Sequence, residues 1–161
     1  AHAQDPFIVR LRTGGFRDMN LREALGAKSA ATTHKISLYL PDKDCDGKPV
    51  EDIEAWIDLA IDLLAKINGG ATCPPPCYGT WNTKNRKVVR ENTRIIYSYI
   101  TNPARFERNI NTVRTFLHSF GRACRQEEVI VEFSGEDKAT FVQRAYFIDA
   151  YPSAQALKEL R

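Results

Sequence analysis

The chain has 161 residues, of which 43% are hydrophobic and 27% are charged, and its formal net charge is +3. These values are typical of a folded domain and exclude a largely disordered chain, and the small net charge does not by itself indicate a nucleic-acid-binding protein. Because no apolar run approaches the roughly 20 residues of a membrane-spanning helix, we predict a soluble chain without a membrane partner.

The first part of the chain is predicted to be an extension followed by a strand. Residues 1–33 form the extension, with a weak helix around Leu21–Leu25. The start Ala1-His2-Ala3 has the small-x-small form of a signal-peptidase site, so the sequence leaves both a cytoplasmic and an exported location open. Alternating polarity then predicts a strand over Lys35–Leu40, with Tyr39 on the face opposite its apolar side chains.

Four more strands and two long helices are predicted after this strand. Apolar residues at helical spacing indicate helices over Ile53–Ile67 and Phe106–Phe120, the second with Pro103 in its first turn. A Ser134–Asp137 turn is expected before the fifth strand, and Ser153 would cap a short final helix. The remaining strands are predicted over Tyr78–Trp81, Val88–Ile100, Glu128–Phe133 and Thr140–Ile148.

This order of elements predicts the fold class. Strand, helix, two strands, helix and strand make an α+β, ferredoxin-like βαββαβ split sandwich, in which two helices cover one face of an antiparallel sheet. A C-terminal strand and a short helix extend it, so we expect residues 34–161 to form a single domain. The other face of the sheet has no evident cover.

The predicted topology brings three loops to one end of the sheet. They are Asp42–Asp46, Asn82–Lys87 and Cys124–Glu127, so an acidic segment and a basic segment would be neighbours. We take this end of the sheet as the candidate site.

A possible calcium loop is the first motif to weigh. Asp42–Gly47 has the D-x-D-x-D-G form, but Ile53 stands at the twelfth position, where a calcium loop needs a bidentate Glu. A solvated turn whose aspartates favour the start of the next helix explains the pattern better. We predict no metal site and no cofactor.

The cysteines give little functional information. Cys45, Cys73, Cys77 and Cys124 are even in number, but their spacing matches no zinc motif, so thiols or an incidental disulfide are expected. Their redox state stays open.

A basic hairpin is the second motif. Its positive side chains, close to Trp81 and Tyr97, would suit single-stranded nucleic acid. Charge is equally normal on an exposed hairpin, and we do not expect nucleic acid as the main partner. The basic residues are Lys84, Arg86, Lys87, Arg90 and Arg94.

Four short motifs occur in an order that resembles a family of small uncharacterised bacterial proteins, a domain of unknown function. They are Gly69-Gly-Ala-Thr72, Gly79-Thr-Trp81, Val89-Arg-Glu91 and Gln126-Glu127. The resemblance spans about Lys35 to Gly135 and implies a ferredoxin-like α+β fold without an established activity.

Some of these residues would meet at the candidate site. Trp81, Glu91, Gln126 and Glu127 are the predicted ligand-binding residues, and an aromatic wall beside carboxylates suits a small polar or cationic ligand.

Three hypotheses of function follow. The first is a non-catalytic ligand-binding or protein-binding module, the second a small-molecule enzyme that uses the carboxylates near Trp81, and the third a nucleic-acid-binding hairpin. We also predict a homodimer through the open sheet face or an edge strand, with Tyr39 at or near the contact.

Overall fold

The computed structural model describes residues 21–28, 34–137 and 140–149. Contacts divide the chain into two units, residues 1–32 and residues 33–161. The described part of the first unit contains one short helix, α1 (Leu21–Ala24). The Ala1–Ala3 segment and the helix expected from Ser153 lie outside the described residues.

The second unit is a mixed α+β structure, as the sequence predicts. Its five strands form one sheet in the order β2-β3-β1-β4-β5, and every neighbouring pair is antiparallel. None of the helices in the described part of the chain has the length and apolar character needed to cross a bilayer. The elements are β1 (His34–Pro41), α2 (Ile53–Asn68), β2 (Cys77–Asn82), β3 (Val88–Ile100), α3 (Pro103–Arg108), α4 (Ile110–Ala123), β4 (Val129–Asp137) and β5 (Thr140–Ile148).

One hydrophobic core joins both long helices to the sheet. Leu38 and Leu40 of β1 are fully buried, in the same cluster as Leu64 of α2 and Phe120 of α4. The ring of Trp56 meets that of Phe120 edge-on at 5.5 Å between centroids, which ties α2 to α4. Each such buried side chain contributes about 1.5–3 kcal/mol. The predicted packing of both helices on one sheet face is therefore confirmed.

The second long helix differs from its prediction, because it is two helices that meet at Asn109. Asn102 caps α3 by accepting a hydrogen bond from the Arg105 N–H at 3.0 Å, with Pro103 in the first turn as predicted. Asn109 then turns its side chain back to the Arg105 carbonyl, at 2.7 Å, and its own backbone leaves helical geometry. This break takes Ile110 off the predicted apolar stripe and leaves it 45% exposed.

The predicted turn at Ser134–Asp137 is wrong. β4 continues through these residues, and Ser134 pairs with Gln143 of β5. A Cβ at Gly135 would overlap the ring of His34, so close packing explains this glycine and a turn does not.

Candidate functional site

A cavity of about 320 Å³ lies on the sheet face opposite the helices. Successive side chains of a strand point to opposite faces, so Tyr39 faces away from the core residues Leu38 and Leu40. The β2–β3 register places Trp81 and Glu91 on that same face, and β4 and β5 close the other side. The lining residues are Tyr39, Pro41, Trp81, Asn82, Glu91, Thr93, Gln126, Glu128, Ile130 and Phe147.

The lining of this cavity has acidic and aromatic side chains, and none of the described ones is cationic. It contains two carboxylates, Glu91 and Glu128, and three aromatic rings, those of Tyr39, Trp81 and Phe147. No Lys, Arg or His is among the described residues that line the cavity, although the chain as a whole carries a net charge of +3. We call this cavity the anionic pocket.

Of the two carboxylates, Glu91 is held in place by two hydrogen bonds from neighbouring side chains. Its side chain accepts a hydrogen bond from Trp81 Nε1 at 3.0 Å and one from Thr93 Oγ1 at 3.3 Å. Burial raises the pKa of Glu91 above its usual value, an effect that these two hydrogen bonds oppose and that the nearby Asp42 carboxylate reinforces. The carboxylate is therefore fixed in direction and only partly solvated, which strengthens its attraction for a cation.

A polar network continues from the pocket across the sheet. The Tyr39 hydroxyl donates to Glu132 Oε2 at 2.7 Å, and Gln143 Nε2 donates to Glu132 Oε1 at 2.9 Å. Burial, followed by the hydrogen bond and charge of Glu132, raises the pKa of Tyr39 to about 12. Tyr39 is therefore protonated at neutral pH, and its O–H donates to Glu132 of β4.

Three of the four predicted ligand-binding residues line the same pocket. Trp81 and Glu91 do so directly, and Gln126 does so while its Nε2 donates to the backbone carbonyls of Lys43, at 2.8 Å, and Cys124, at 3.0 Å. Glu127 is placed elsewhere, because its carboxylate accepts a hydrogen bond from the Lys84 N–H at 3.0 Å. It fastens the β2–β3 hairpin to the start of β4.

The predicted meeting of three loops at one end of the sheet is confirmed. The Lys87 ammonium donates to the Asp46 carbonyl, and Arg125 pairs with the Asp46 carboxylate at 2.7 Å. Together with the bonds of Gln126 and Glu127, these contacts hold the loops against one another. The pocket lies beside this junction, on the open face of the sheet.

The carboxylates of the Asp42–Gly47 loop bind the chain's own donors. Asp44 is buried and accepts hydrogen bonds from the N–H groups of Asp46 and Lys48, each at 2.9 Å, and Asp42 accepts one from the Asn92 N–H at 2.9 Å. Within the described ranges, no three His, Cys, Asp or Glu side chains form a group that could hold a metal ion. All four cysteines are free thiols.

Two of the five basic residues of the β2–β3 hairpin are engaged within the molecule. Lys87 bonds to the Asp46 carbonyl, and Arg94 forms an ion pair with Glu54 at 2.9 Å. The nearby Trp81 faces the anionic pocket, which does not suit a phosphate backbone.

The sequence reasoning missed Tyr39, Glu128 and Phe147 as pocket residues. Tyr39 was assigned correctly to the open face, and its predicted contact with a second chain stays a prediction. The signal that would have found all three is strand register, because residues on one face of adjacent strands become neighbours. That register cannot be read from a single strand.

No family model matches the chain, and no curated protein matches it either. The resemblance to a bacterial family of unknown function therefore stays a hypothesis. Two solved structures are similar in fold, both titled as a phage SAM lyase. The one in complex with S-methyl-5'-thioadenosine is 18% identical, with a TM-score of 0.55, over 76% of this chain and 94% of that chain. The apo structure is 18% identical, with a TM-score of 0.57, over 78% and 96%.

Proposed function

We propose that the anionic pocket binds a small cationic ligand, and that the chain is an enzyme that cleaves S-adenosylmethionine at its sulfonium centre. The observation that carries the proposal is the lining of the pocket, with two carboxylates, three aromatic rings and no cationic side chain among its described residues. A sulfonium or ammonium group is attracted both to carboxylates and to aromatic faces, the latter by about 0.5–2 kcal/mol per contact.

The fold likeness guides the choice of the cation to be tested. The similar structures belong to a SAM lyase, and one of them holds S-methyl-5'-thioadenosine. At 18% identity the likeness speaks for the fold alone, so the substrate rests on the chemistry of the pocket. A cavity of about 320 Å³ is also near the lower end of the roughly 300–1,000 Å³ of ligand sites.

Cleavage of S-adenosylmethionine can follow two routes, which begin with the same bond and differ in the fate of the amino-acid fragment. The bond between sulfur and the γ-carbon of the amino-acid part breaks, and its electron pair moves to sulfur, which becomes the neutral thioether S-methyl-5'-thioadenosine. The remaining four-carbon fragment either closes onto its own carboxylate as a lactone or loses a β-proton to a base and becomes an alkene. The first route needs no base from the protein.

Glu91 has a different task in each route. Positive charge disappears from sulfur as the bond breaks, so a carboxylate near sulfur binds the substrate more tightly than the transition state. In lactone formation Glu91 is therefore a binding residue, and Glu91→Gln raises KM with little loss of kcat. In the elimination route Glu91 is the base, favoured by its raised pKa, and the same substitution lowers kcat.

The test is incubation of the full chain with S-adenosylmethionine, followed by mass spectrometry of the products. We expect S-methyl-5'-thioadenosine, together with the lactone or the alkene, and both are lost or slowed in Glu91→Gln. Asp62→Asn, an exposed change on α2, is the matched control and should leave the rate unchanged. Binding without turnover would support the non-catalytic module, and absence of both would refute the proposal.

We also propose the finer fold assignment made from the sequence. The strand order β2-β3-β1-β4, with helices after β1 and β3, supports a ferredoxin-like core that β5 extends. We keep residues 34–161 as the domain that carries the site and residues 1–33 as an extension. Expression of residues 34–161 alone tests this division, since a domain that folds by itself gives a cooperative unfolding transition.

A further inference from the structure

A second cavity, of about 350 Å³, lies toward the C-terminal end of β3. It is lined by Asn68 at the end of α2, by the loop of residues 69–72, by residues 97–99 of β3 and by Thr101. These residues carry hydroxyls, an amide and aromatic rings, and no charged side chain is among the described ones, in contrast to the anionic pocket. We call this space the neutral cavity.

Asn68 gives the neutral cavity an acceptor that has no donor within the molecule. The residue is only 9% exposed, and its Nδ2 donates to Ser98 Oγ at 3.1 Å, but its Oδ1 is buried without a hydrogen-bond partner. The Ser98 hydroxyl cannot serve, because it donates to the Gly70 carbonyl. An unsatisfied buried polar atom costs stability, so the site is suited to a ligand that brings an N–H donor.

The two glycines that follow α2 leave open space beside Asn68. Gly69 ends the helix at a φ of 90°, a conformation that favours glycine, whereas Gly70 does not adopt a positive φ. A Cβ atom added at either position would meet no heavy atom within 4 Å. A larger side chain at Gly70 would therefore occupy part of the cavity without a backbone clash.

The backbone of Tyr99 offers a donor and an acceptor at the edge of β3. Thr72 and Tyr97 exchange two backbone hydrogen bonds of 2.9 Å, so the N–H and C=O groups of Tyr97 point toward the loop of residues 69–72. Alternate residues of a strand direct these groups to the same side, so those of Tyr99 point the same way. Among the described strands, β2 pairs with β3 only from Val88 to Thr93, which leaves the Tyr99 groups open to the cavity.

The ring of Tyr99 supplies a flat surface. It is 52% exposed, and the Tyr97 ring packs against it edge-on, at 5.9 Å between centroids. The Tyr97 ring is itself covered by the Lys35 ammonium, 5.6 Å from its centroid, so Tyr99 is the ring on which a flat ligand would stack.

We propose that the neutral cavity binds a flat, uncharged ring that carries an NH₂ group next to a hydrogen-bond acceptor. One N–H of that group donates to Asn68 Oδ1 and the other to the Tyr99 carbonyl, while the acceptor receives the Tyr99 N–H. An aminated nucleobase and a ring carboxamide both have this chemistry. A volume of about 350 Å³ falls within the roughly 300–1,000 Å³ of ligand sites.

NMR titration of the full chain with adenine and with nicotinamide tests the proposal and separates its two sources. Purine and pyridine, which lack the NH₂ group, are the matched ligands and should bind at least about tenfold more weakly, because they leave the polar groups of the site unpaired. Binding of adenine alone would identify a nucleobase site, and binding of nicotinamide alone a carboxamide site. Equal binding of the matched ligands, or no binding of any of the four, would overturn the proposal.

Two variants place the bound ring in the neutral cavity. Asn68→Leu removes the acceptor and Gly70→Phe fills the space, so each should weaken binding at least tenfold. Thr112→Phe, at an exposed residue of α4, is the control for an added ring. Circular dichroism checks that each variant folds, and Gly70→Phe carries the test by itself if Asn68→Leu does not.

Glu91→Gln separates the neutral cavity from the anionic pocket, because Glu91 lines only the latter. We expect this variant to bind the ring as the unaltered chain does. Binding that is lost in Glu91→Gln and kept in Gly70→Phe would show that the ring occupies the anionic pocket, and the proposal would be wrong. None of these measurements uses S-adenosylmethionine, so their outcome is independent of the proposed enzyme activity.

Discussion

Two acidic regions of this molecule use their carboxylates in opposite ways. In the Asp42–Gly47 loop, Asp44 accepts two backbone hydrogen bonds and Asp46 pairs with Arg125. In the anionic pocket, Glu91 and Glu128 line a cavity with aromatic walls and no cationic side chain among its described residues. The first region is satisfied by the chain's own donors, and the second is suited to a cation from solution.

The comparison shows that a cluster of acidic residues in the sequence is a poor guide to where a ligand-binding site lies. The loop has three aspartates in six residues and a familiar motif, whereas the pocket takes its two glutamates from different strands or their ends. What distinguishes the pocket is that partial burial limits solvent around Glu91 without supplying a positive partner. An unmatched carboxylate costs stability, and a bound cation recovers that cost.

The largest effect should come from Glu91→Gln. We expect the affinity for S-adenosylmethionine to fall at least about tenfold, because an interaction with a charged group in a half-buried site contributes about 1.5–3 kcal/mol. Glutamine can still accept the hydrogen bond from Trp81, so the pocket keeps its shape. Titration calorimetry measures the change. Asp46→Asn in the loop is the control, and an equal loss there would erase the distinction between the two regions.

Asp44→Ala should have the converse result. Two backbone N–H groups lose their acceptor, which costs about 1–3 kcal/mol in the free energy of unfolding, while ligand affinity stays the same. Urea denaturation measures this loss. Asp46→Ala is the matched variant, and because Asp46 and Arg125 are 48% and 58% exposed, it should cost no more than about 1 kcal/mol. Equal losses in the two variants would contradict the structural role of Asp44.

Much of the fold could be predicted because its signals are local. Helical periodicity gave α2 nearly to the residue, alternation gave β1, and the expected bounds of β3 and β5 match the structure. The failures came where tertiary contacts override local preference. Asn109 breaks a periodic apolar pattern because its side chain bonds to Arg105, and Gly135 stands in a strand because His34 packs against it.

The pocket was harder to predict than the fold. Trp81, Glu91 and Gln126 were placed together by topology, and they do meet. Tyr39 and Phe147 could not be added, because their places depend on the register of β1 against β3 and of β5 against β4. Glu127 was grouped with its neighbour Gln126, although adjacent residues before a strand point in different directions.

The pH dependence of binding tests whether the ionised Glu91 carboxylate attracts the cation. Burial raises its pKa, and only the ionised carboxylate attracts a cation, so affinity should increase as the pH rises through that raised value. Below it, each pH unit should weaken binding by up to about tenfold, or about 1.4 kcal/mol. Calorimetry over a pH series measures this slope. The same series with Glu91→Gln removes any titration of the ligand itself, and a parallel slope in that variant would assign the effect to another group.

The smallest effect is expected from Tyr39→Phe, which separates the polar network from the pocket. The change removes the hydrogen bond to Glu132 but keeps the ring in the pocket wall, so we expect a loss of about 0.5–1.5 kcal/mol in the free energy of unfolding and little change in affinity.

The pKa of Tyr39 is raised from 10.0 to about 12, which means that the folded state holds the phenol proton more tightly than the unfolded state. The stability that this proton provides is complete below about pH 10 and is lost as the pH rises toward 12. Urea denaturation at neutral pH and above pH 10 should therefore show a difference between the wild type and Tyr39→Phe that shrinks with rising pH. A difference that stays constant would mean that the hydroxyl stabilises the fold by some other contact, and a large loss of ligand affinity would place the hydroxyl itself in the binding site.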